Sequence, residues 1–375
     1  MKKHGCFDLS KSTSHQEKSD RLLYPDVIRA AATVGVVILH VCGGMVWALT
    51  PDMWQFNWLV SADTIVHCVV PLFLMLSGML LLSPEKTVTL SDLFKKYIVR
   101  LVIAYIGWSF LYAVFMTIYN GTFSSEGLYG LWKLFFVGHY HLWFLPMMIG
   151  VYLTIPFFRG ITEKRDSRLL HYTLVVLLLF NVLYPNFYTT FPALSNILER
   201  IDPSWFGIYA TYFFAGYYFS RIKVPRSGKY IWLGIIAVSA AWFVFSVCSG
   251  SAAQGTLDES KWSPNKIPMV IYTISVFMVF RNYGDLVAHL PRLCSFVRKL
   301  SELSFTVYLC HDLFIKILAK HGFDSLTWHP VISVPVLTVV VLIASMILSE
   351  FLLICKENIK KVWNKYRTKG DTVPK

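Results

Sequence analysis

Long apolar segments alternate with short polar ones along most of this chain of 375 residues. A bilayer core about 30 Å thick requires roughly 20 apolar residues in each helix that crosses it. Segments of that length, bounded by charged residues or by Pro and Gly, recur after the first 25 residues. We therefore predict an all-α integral membrane protein, a single bundle of about ten transmembrane helices over residues 27–49, 57–82, 95–119, 141–158, 168–185, 204–221, 229–248, 265–282, 302–320 and 330–355.

Lys and Arg are distributed unevenly among the segments that connect these helices. With an even number of crossings, all but six of the 35 Lys and Arg residues fall on one side of the membrane. The cytoplasmic side is the one enriched in these cations, so we predict that both termini are cytoplasmic. A missed or an extra helix would exchange the sides of all later loops and abolish the asymmetry. The six residues on the predicted outer side are Lys133, Arg200, Lys261, Lys266, Lys316 and Lys320.

Composition supports a membrane protein with one domain. Hydrophobic residues make up 55% and charged residues 15% of the chain, which is more apolar than a water-facing core requires. The net charge of +13 lies in short clusters without a continuous basic face, which argues against a nucleic-acid partner. The seven cysteines form no C-x-x-C pair and are expected to be reduced thiols. We predict a cytoplasmic N-terminal tail (1–25) without a cleavable signal peptide, a transmembrane domain (26–355) and a basic cytoplasmic C-terminal tail (356–375).

Two polar residues of the first predicted helix lie on one face. Arg29 and His40 are eleven residues apart, which is close to three full turns and about 16 Å along the helix axis. Arg29 stands at the predicted cytoplasmic boundary and His40 near mid-membrane. They would line one channel, although Arg29 could also be a topological anchor and His40 a hydrogen-bonded core histidine. A deep histidine is costly in a bilayer and favours a functional role.

Further polar residues mark the second and third helices. Asp63 and His67 are spaced i, i+4, so the carboxylate could orient the imidazole ring, or the two could form a structural polar pair. Lys95, Lys96 and Arg100 begin the third helix. These cations could simply set the membrane topology. Alternatively, they could bind the phosphates of a polyanionic cytosolic ligand at the cytoplasmic end of the helix.

The second helix also contains a proline and a pair of small residues. Pro71 predicts a kink in this helix, and Ser77 with Gly78 predicts close packing against a neighbour. No HExxH motif, phosphate-binding loop or Cys/His metal spacing occurs in the sequence. We therefore expect no metal centre.

Two more histidines are candidates for the same site. His141 lies in an aromatic segment, residues 139–146, at the predicted outer start of the fourth helix, where an aromatic membrane-interface belt is the alternative explanation. His311 lies nine residues, or roughly 14 Å, beyond Glu302 in the ninth helix. It therefore reaches a depth similar to that of His40, and a shared site is plausible.

Four of these segments resemble acyltransferase family 3, bacterial inner-membrane proteins that commonly O-acetylate surface polysaccharides. The resemblance extends from about residue 22 to 355. It rests on Asp26-x-x-Arg29 with His40, on the segment from Val70 to Gly78, on His141-Leu-Trp-Phe-Leu145 with Tyr152 and Pro156, and on Ser304-Phe-Thr-Val-Tyr308-Leu-Cys-His311.

The resemblance implies a multi-pass protein of the bacterial inner membrane that transfers an acyl group. Acetyl-CoA would be the donor, and a lipid-linked or cell-surface glycan the acceptor. Its implied donor-binding residues are Arg29, Lys96, Arg100 and Ser77, and its implied catalytic residues are His40 as general base or acyl relay, with His311 and His141 as secondary candidates. The sequence departs from the family at Lys96, where Arg is common, and lacks the proline that often follows the position of Arg100.

Two other functions are compatible with buried polar residues. A secondary transporter or exporter of a small polar solute could use His, Asp and Glu as a proton relay. The sequence has neither an inverted internal repeat nor paired broken helices, which argues against a transporter. A membrane scaffold without catalytic activity is the third option, and it would leave the polar residues at matched depth unexplained.

Overall fold

The computed structural model describes residues 22–121, 123–187, 207–222 and 228–370, and within these ranges the chain is helical with no strand. This confirms the predicted all-α class. The first 21 residues of the predicted N-terminal tail and the last five residues of the C-terminal tail lie outside the described ranges.

The helices follow one another with short connections. In chain order they span Tyr24–Val46, Trp54–Val66, Val69–Leu81, Leu90–Asp92 continued by a π-helix Leu93–Ile98 and by Val99–Asn120, Phe123–Val137, a 3₁₀ turn Tyr140–Trp143, Phe144–Leu153, Ile155–Thr162, Ser167–Leu178 continued by a π-helix Leu179–Leu183 and by Tyr184–Phe187, Gly207–Arg221, Gly228–Gln254, a 3₁₀ turn Glu259–Trp262, Ile267–Tyr283, a 3₁₀ helix Gly284–His289, Pro291–Lys320 and Pro330–Gly370.

Seven helical segments of the described residues are long and apolar enough to cross a membrane. They are Tyr24–Val46, Trp54–Leu81, Leu90–Asn120, Gly127–Leu153, Ser167–Phe187, Tyr230–Gln254 and Pro330–Lys361. The chain is thus a multi-pass membrane protein. The count of ten crossings and the cytoplasmic location of both termini stay predictions.

The other three predicted crossings coincide with helices of a different character. Gly207–Arg221 has 15 described residues and Ile267–Tyr283 has 17, so that each rises less than the roughly 30 Å of a bilayer core. Pro291–Lys320 has 30 residues and is long enough, but charged side chains occur along it, among them Arg298, Lys299, Glu302, Asp312 and Lys316.

The first helix, Tyr24–Val46, lies at the centre of the bundle. It packs against both halves of the second predicted span and against the helices Ile267–Tyr283, Pro291–Lys320 and Pro330–Gly370. Ile28, Ala32 and Cys42 on this helix are almost fully buried. The residues predicted to line a channel therefore belong to a helix that packs against several others.

A glycine contact holds the helices Val69–Leu81 and Gly207–Arg221 together. A Cβ atom at Gly78 would lie 1.7 Å from the backbone oxygen of Phe213, and one at Gly216 would lie 1.9 Å from that of Met75. Two backbones can approach this closely only where the residue facing the other backbone is a glycine. This confirms the interpretation of Gly78 as a close-packing residue.

The second predicted span is broken in the middle, as Pro71 predicts. Its two helices, Trp54–Val66 and Val69–Leu81, are separated by His67 and Cys68. Proline has no N–H, so the carbonyl of the residue four positions earlier loses its helical hydrogen bond, and that residue is His67. The nearby carbonyl of Ile65 accepts a hydrogen bond from the hydroxyl of Tyr272 at 2.9 Å. The kink turns His67 out of the regular helix.

Candidate active site

A cavity of about 380 Å³ opens beside Arg29. We call it the first cavity. Polar side chains surround one part of it and aromatic and aliphatic side chains the rest. It is lined by Arg29, Val36, Val70, Phe73, Ser77, Tyr97, Arg100, Leu101, Phe144, Met148, Tyr152, Ser301, Glu302, Ser304, Phe305 and Tyr308.

The guanidinium of Arg29 is held by two polar neighbours. Its Nη1 atom donates a hydrogen bond to the hydroxyl of Ser301 at 3.2 Å and lies 4.0 Å from Oδ1 of Asp26. Ser301 in turn donates to the same Asp26 oxygen at 2.7 Å. Asp26 is buried, whereas 29% of the Arg29 side chain is exposed. This fixes the direction of the guanidinium and leaves part of it accessible to a ligand.

The other predicted donor-binding residues are distributed unequally around this cavity. Arg100 lines it, with its guanidinium 4.9 Å from the ring centre of Phe305, and Ser77 lines it as well. Lys96 is not among the lining residues. Its ammonium lies 5.8 Å from the ring centre of Tyr97, which does line the cavity. Lys96 is therefore a neighbour of the first cavity and Arg100 a part of its wall.

A second, smaller cavity of about 180 Å³ adjoins the first. The two share four lining residues, Val36, Val70, Phe144 and Tyr308. The second cavity is lined in addition by Leu39, His40, His67, Val69, Pro71, His141, Trp143, Tyr209, Trp262, Pro264 and Met269. The two cavities together therefore extend from guanidinium groups at one end to imidazole rings at the other.

The three predicted catalytic histidines form one cluster. The ring centre of His40 lies 5.0 Å from that of His311 and 6.2 Å from that of His141, and the rings of His141 and His311 are 5.2 Å apart. They come from three separate segments of the chain. The expectation from depth alone, that His40 and His311 share a site, agrees with this geometry.

His141 reaches the cluster because the chain is not a regular helix there. His139 has an extended backbone conformation, with φ −76° and ψ 141°, and a 3₁₀ turn follows over Tyr140–Trp143. Successive residues of an α-helix point about 100° apart. The extended residue and the tight turn instead bring His139, Tyr140 and His141 to the same group of side chains.

Asp312 fixes the tautomer of His40 through Tyr140. The hydroxyl of Tyr140 donates to Oδ1 of Asp312 at 2.6 Å and lies 3.3 Å from Nδ1 of His40. A phenol has a single hydroxyl proton, and Tyr140 uses it in the hydrogen bond to the carboxylate. In a hydrogen bond with His40 the phenol oxygen is then the acceptor, so Nδ1 of His40 carries the proton. Nε2 of His40 is left with a lone pair.

The same reasoning applies to His311, whereas His141 is hydrogen-bonded to another histidine. Nε2 of His139 lies 3.4 Å from Oδ2 of Asp312, and its Nδ1 lies 2.9 Å from Nδ1 of His141. The contact with the carboxylate is not a hydrogen bond, because Oδ2 of Asp312 has no such partner among the described residues. Nδ1 of His311 lies 2.6 Å from the carbonyl oxygen of Tyr308, which only accepts. The lone pair of the neutral rings of His40 and His311 is therefore on Nε2, and among the described residues Nε2 of His141 and of His311 has no hydrogen-bond partner.

His139, His141 and Asp312 are also the group best suited to a metal ion. Each offers a ligand atom, and these atoms all lie within 4.8 Å of one another. Two imidazoles and a carboxylate are a common ligand set for Zn²⁺. In this structure, however, Nδ1 of His139 is already hydrogen-bonded to Nδ1 of His141, and Oδ1 of Asp312 accepts from Tyr140. The expectation that the protein has no metal centre stays a prediction.

The family model described as an acyltransferase domain matches residues 22–350, nearly the whole chain. The chain belongs to acyltransferase family 3. No curated protein and no solved structure matches it. The family supports a membrane acyltransferase and does not favour the alternative of a secondary transporter.

Three residues of the candidate site were not predicted as site residues: His139, Tyr140 and Asp312. Each is adjacent in sequence to a candidate histidine, since Tyr140 and His139 precede His141 and Asp312 follows His311. The sequence feature that could have identified them is their position as polar neighbours of a histidine deep in the membrane. It was not decisive, because neighbours in a regular helix point to different faces.

Proposed function

We propose that this acyltransferase moves an acetyl or other short acyl group from cytosolic acyl-CoA to a hydroxyl of a lipid-linked or cell-surface glycan. The membrane would be the bacterial inner membrane, with the Arg29 end of the site toward the cytosol. The observation that carries the proposal is the adjoining pair of cavities, which joins two guanidinium groups to a histidine cluster through the shared wall of Val36, Val70, Phe144 and Tyr308.

The first cavity is suited to the donor. The phosphates of acetyl-CoA would bind at Arg29 and Arg100, with Lys96 adding positive charge nearby. Guanidinium groups suit phosphates because their fork of N–H donors matches the phosphate oxygens. The pantetheine arm would extend between the apolar side chains of Phe144 and Met148, which line the same cavity. Ser77 offers a hydroxyl to this arm.

His40 would act as the general base where the cavities meet. Its Nε2 lone pair takes the proton of the acceptor hydroxyl while the oxygen of that hydroxyl attacks the thioester carbon. The carbon–sulfur bond then breaks, and the thiolate of CoA recovers the proton from His40. An imidazole is suited to this exchange because it accepts and releases protons near neutral pH. His311 and His141 flank the reacting groups as secondary candidates.

The proposal is tested by following the acyl group. Membranes containing the protein are incubated with acetyl-CoA labelled in the acetyl group, and label is measured in the lipid and glycan fractions. We expect transfer by the wild type and a loss of roughly 10²- to 10⁴-fold for His40→Ala, the usual contribution of a general base. His321→Ala is the matched control, because this histidine is exposed at the end of the helix that carries His311.

Two outcomes would contradict the proposal. Transfer that persists in His40→Ala at equal protein level would remove His40 from the chemistry. Uptake of a solute by sealed vesicles without any transfer of label would contradict acyl transfer itself.

A further inference from the structure

A fourth histidine faces the second cavity and has no role in the mechanism above. His67 lines this cavity together with His40 and His141. It stands at the break between the helices Trp54–Val66 and Val69–Leu81. The kink imposed by Pro71 therefore presents an imidazole to the cavity from a different helix than the one that carries His40.

The ring of His67 is held in one orientation from two directions. Its Nδ1 atom lies 3.0 Å from Oδ1 of Asp63, and its face stacks on Trp262 with ring centres 4.7 Å apart and planes inclined by 18°. The indole N–H of Trp262 donates to the hydroxyl of Thr64 at 2.8 Å. A carboxylate that accepts from one ring nitrogen sets the tautomer and the direction of an imidazole.

This arrangement leaves Nε2 of His67 for a ligand. The carboxylate holds the proton of His67 at Nδ1, so Nε2 carries the lone pair. Only 3% of the Asp63 side chain is exposed, compared with 24% of the His67 side chain. The polar pair is thus buried on its carboxylate side and open on its imidazole side, which a purely structural pair between helices does not require.

The second cavity therefore contains two directed hydrogen-bond acceptors. Nε2 of His40 and Nε2 of His67 can each accept a hydrogen bond from a hydroxyl group of a ligand. The rest of the wall includes the aromatic rings of Trp143, Phe144 and Tyr209. A volume of about 180 Å³ lies below the roughly 300 Å³ at which pockets for drug-sized ligands begin. Such a cavity suits a single small ring with apolar faces and hydroxyls at its edge.

We infer that the second cavity binds the acceptor as a ring carrying at least two hydroxyl groups, one donated to His40 for acylation and the other donated to His67. His67 is then a specificity residue, because it selects a diol and determines which hydroxyl meets His40. Asp63 is a positioning residue that acts through His67. The inference rests on the proposed acyl transfer and deepens it, because it names the residue that selects which hydroxyl of the acceptor is acylated.

The test compares two probe acceptors with the same ring. Acetyl transfer from acetyl-CoA is measured to trans-1,2-cyclohexanediol and to cyclohexanol, and the ratio of their kcat/KM values is taken for each variant. We expect a ratio of about 10 to 100 for the wild type, the usual effect of one buried hydrogen bond. For His67→Phe the ratio should fall to about two, the statistical advantage of two equivalent hydroxyls. The control His321→Ala should keep the wild-type ratio.

A ratio measured within one variant does not depend on how much protein has folded. Asp63→Asn is a second variant, similar in volume, that removes the negative charge at Nδ1 of His67, and we expect an intermediate ratio for it. A wild-type ratio of two would overturn the inference, as would an unchanged ratio in His67→Phe. Acylation of membrane glycan by an enzyme that accepts neither probe would overturn it while leaving the proposed function intact. Absence of transfer to any acceptor would instead refute the proposed function.

Discussion

The first and second cavities share a wall but differ in how their polar groups are held. In the first cavity Arg100 is exposed and Arg29 keeps 29% of its side chain accessible. In the second cavity a chain of hydrogen bonds from the buried Asp312 through Tyr140 holds His40, and the buried Asp63 holds His67. Charges that bind phosphate tolerate some freedom, whereas a base must present one nitrogen in one direction. The proposed function therefore assigns binding of the donor to the first cavity and chemistry at the acceptor to the second.

The largest effect that sharpens this comparison is expected at Tyr140. Tyr140→Phe removes the hydroxyl between Asp312 and His40, so Nδ1 of His40 loses the acceptor that fixes its proton. We expect kcat to fall about 10- to 100-fold, the usual loss when the partner of a functional histidine is removed, with little change in the KM for acetyl-CoA. Steady-state kinetics at varied acetyl-CoA measures both values.

A second tyrosine provides the control for this variant. Tyr129→Phe removes a hydroxyl from a side chain that is 79% exposed, and it should leave both constants unchanged. If Tyr140→Phe raised the KM for acetyl-CoA and spared kcat, the hydrogen-bond chain would belong to donor binding and the division between the cavities would be wrong.

Arg29→Ala should produce the opposite pattern. Loss of a guanidinium that binds phosphate removes a charge-assisted hydrogen bond, which is typically worth about 1.5–3 kcal/mol. We expect the KM for acetyl-CoA to rise roughly 10- to 100-fold, with a smaller change in kcat. Arg29→Lys should recover part of this loss, because it restores the charge but not the fork of donors.

The control for Arg29 is an arginine away from the cavity. Arg168 is exposed near the start of the helix Ser167–Leu178, and Arg168→Ala should behave as the wild type. A KM for acetyl-CoA that is unaffected by Arg29→Ala would exclude this residue from phosphate binding.

Sequence periodicity predicted the parts of this site that lie on regular helices. Eleven residues separate Arg29 from His40, and both line the joined cavities as the helical repeat requires. The convergence of His40, His141 and His311 was not derivable in the same way, because contacts between distant segments depend on how helices pack. The sequence also predicted a regular helix over 141–158, whereas the structure begins this segment with a 3₁₀ turn that brings Tyr140 and His141 together.

Packing contacts follow the same rule. Gly78 and Ser77 indicated a close approach between helices, but the sequence could not name the partner. The structure assigns it to the helix Gly207–Arg221, where a Cβ at Gly78 would collide with the backbone of Phe213. A small residue predicts that another helix packs closely against it, but which helix that is depends on how the chain folds.

Lys96 and Arg100 allow a finer test within the first cavity. Both were predicted to bind phosphate, yet Arg100 lines the cavity and Lys96 does not. We expect Arg100→Ala to raise the KM for acetyl-CoA about tenfold and Lys96→Ala only about two- to threefold, since an exposed charge at a distance is screened by water and salt. Repeating both measurements at higher ionic strength should reduce the Lys96 effect first. Equal effects of the two variants would mean that the phosphates extend beyond the cavity wall.

The smallest expected effect is that of removing metal ions. His139, His141 and Asp312 have the composition of a zinc site, but Nδ1 of His139 is hydrogen-bonded to His141, and Asp312 accepts from Tyr140, which contacts His40. Dialysis of the purified protein against a chelator should therefore leave kcat unchanged, and elemental analysis should find no stoichiometric zinc. The matched variant His139→Gln should lower kcat through His141 alone, by less than Tyr140→Phe lowers it through His40. If activity disappeared on dialysis and returned with Zn²⁺, these three residues would be the ligands of a metal ion and not part of a hydrogen-bond chain. A cation would then lie beside the second cavity, whereas the first cavity is proposed to bind the phosphate anion of the donor.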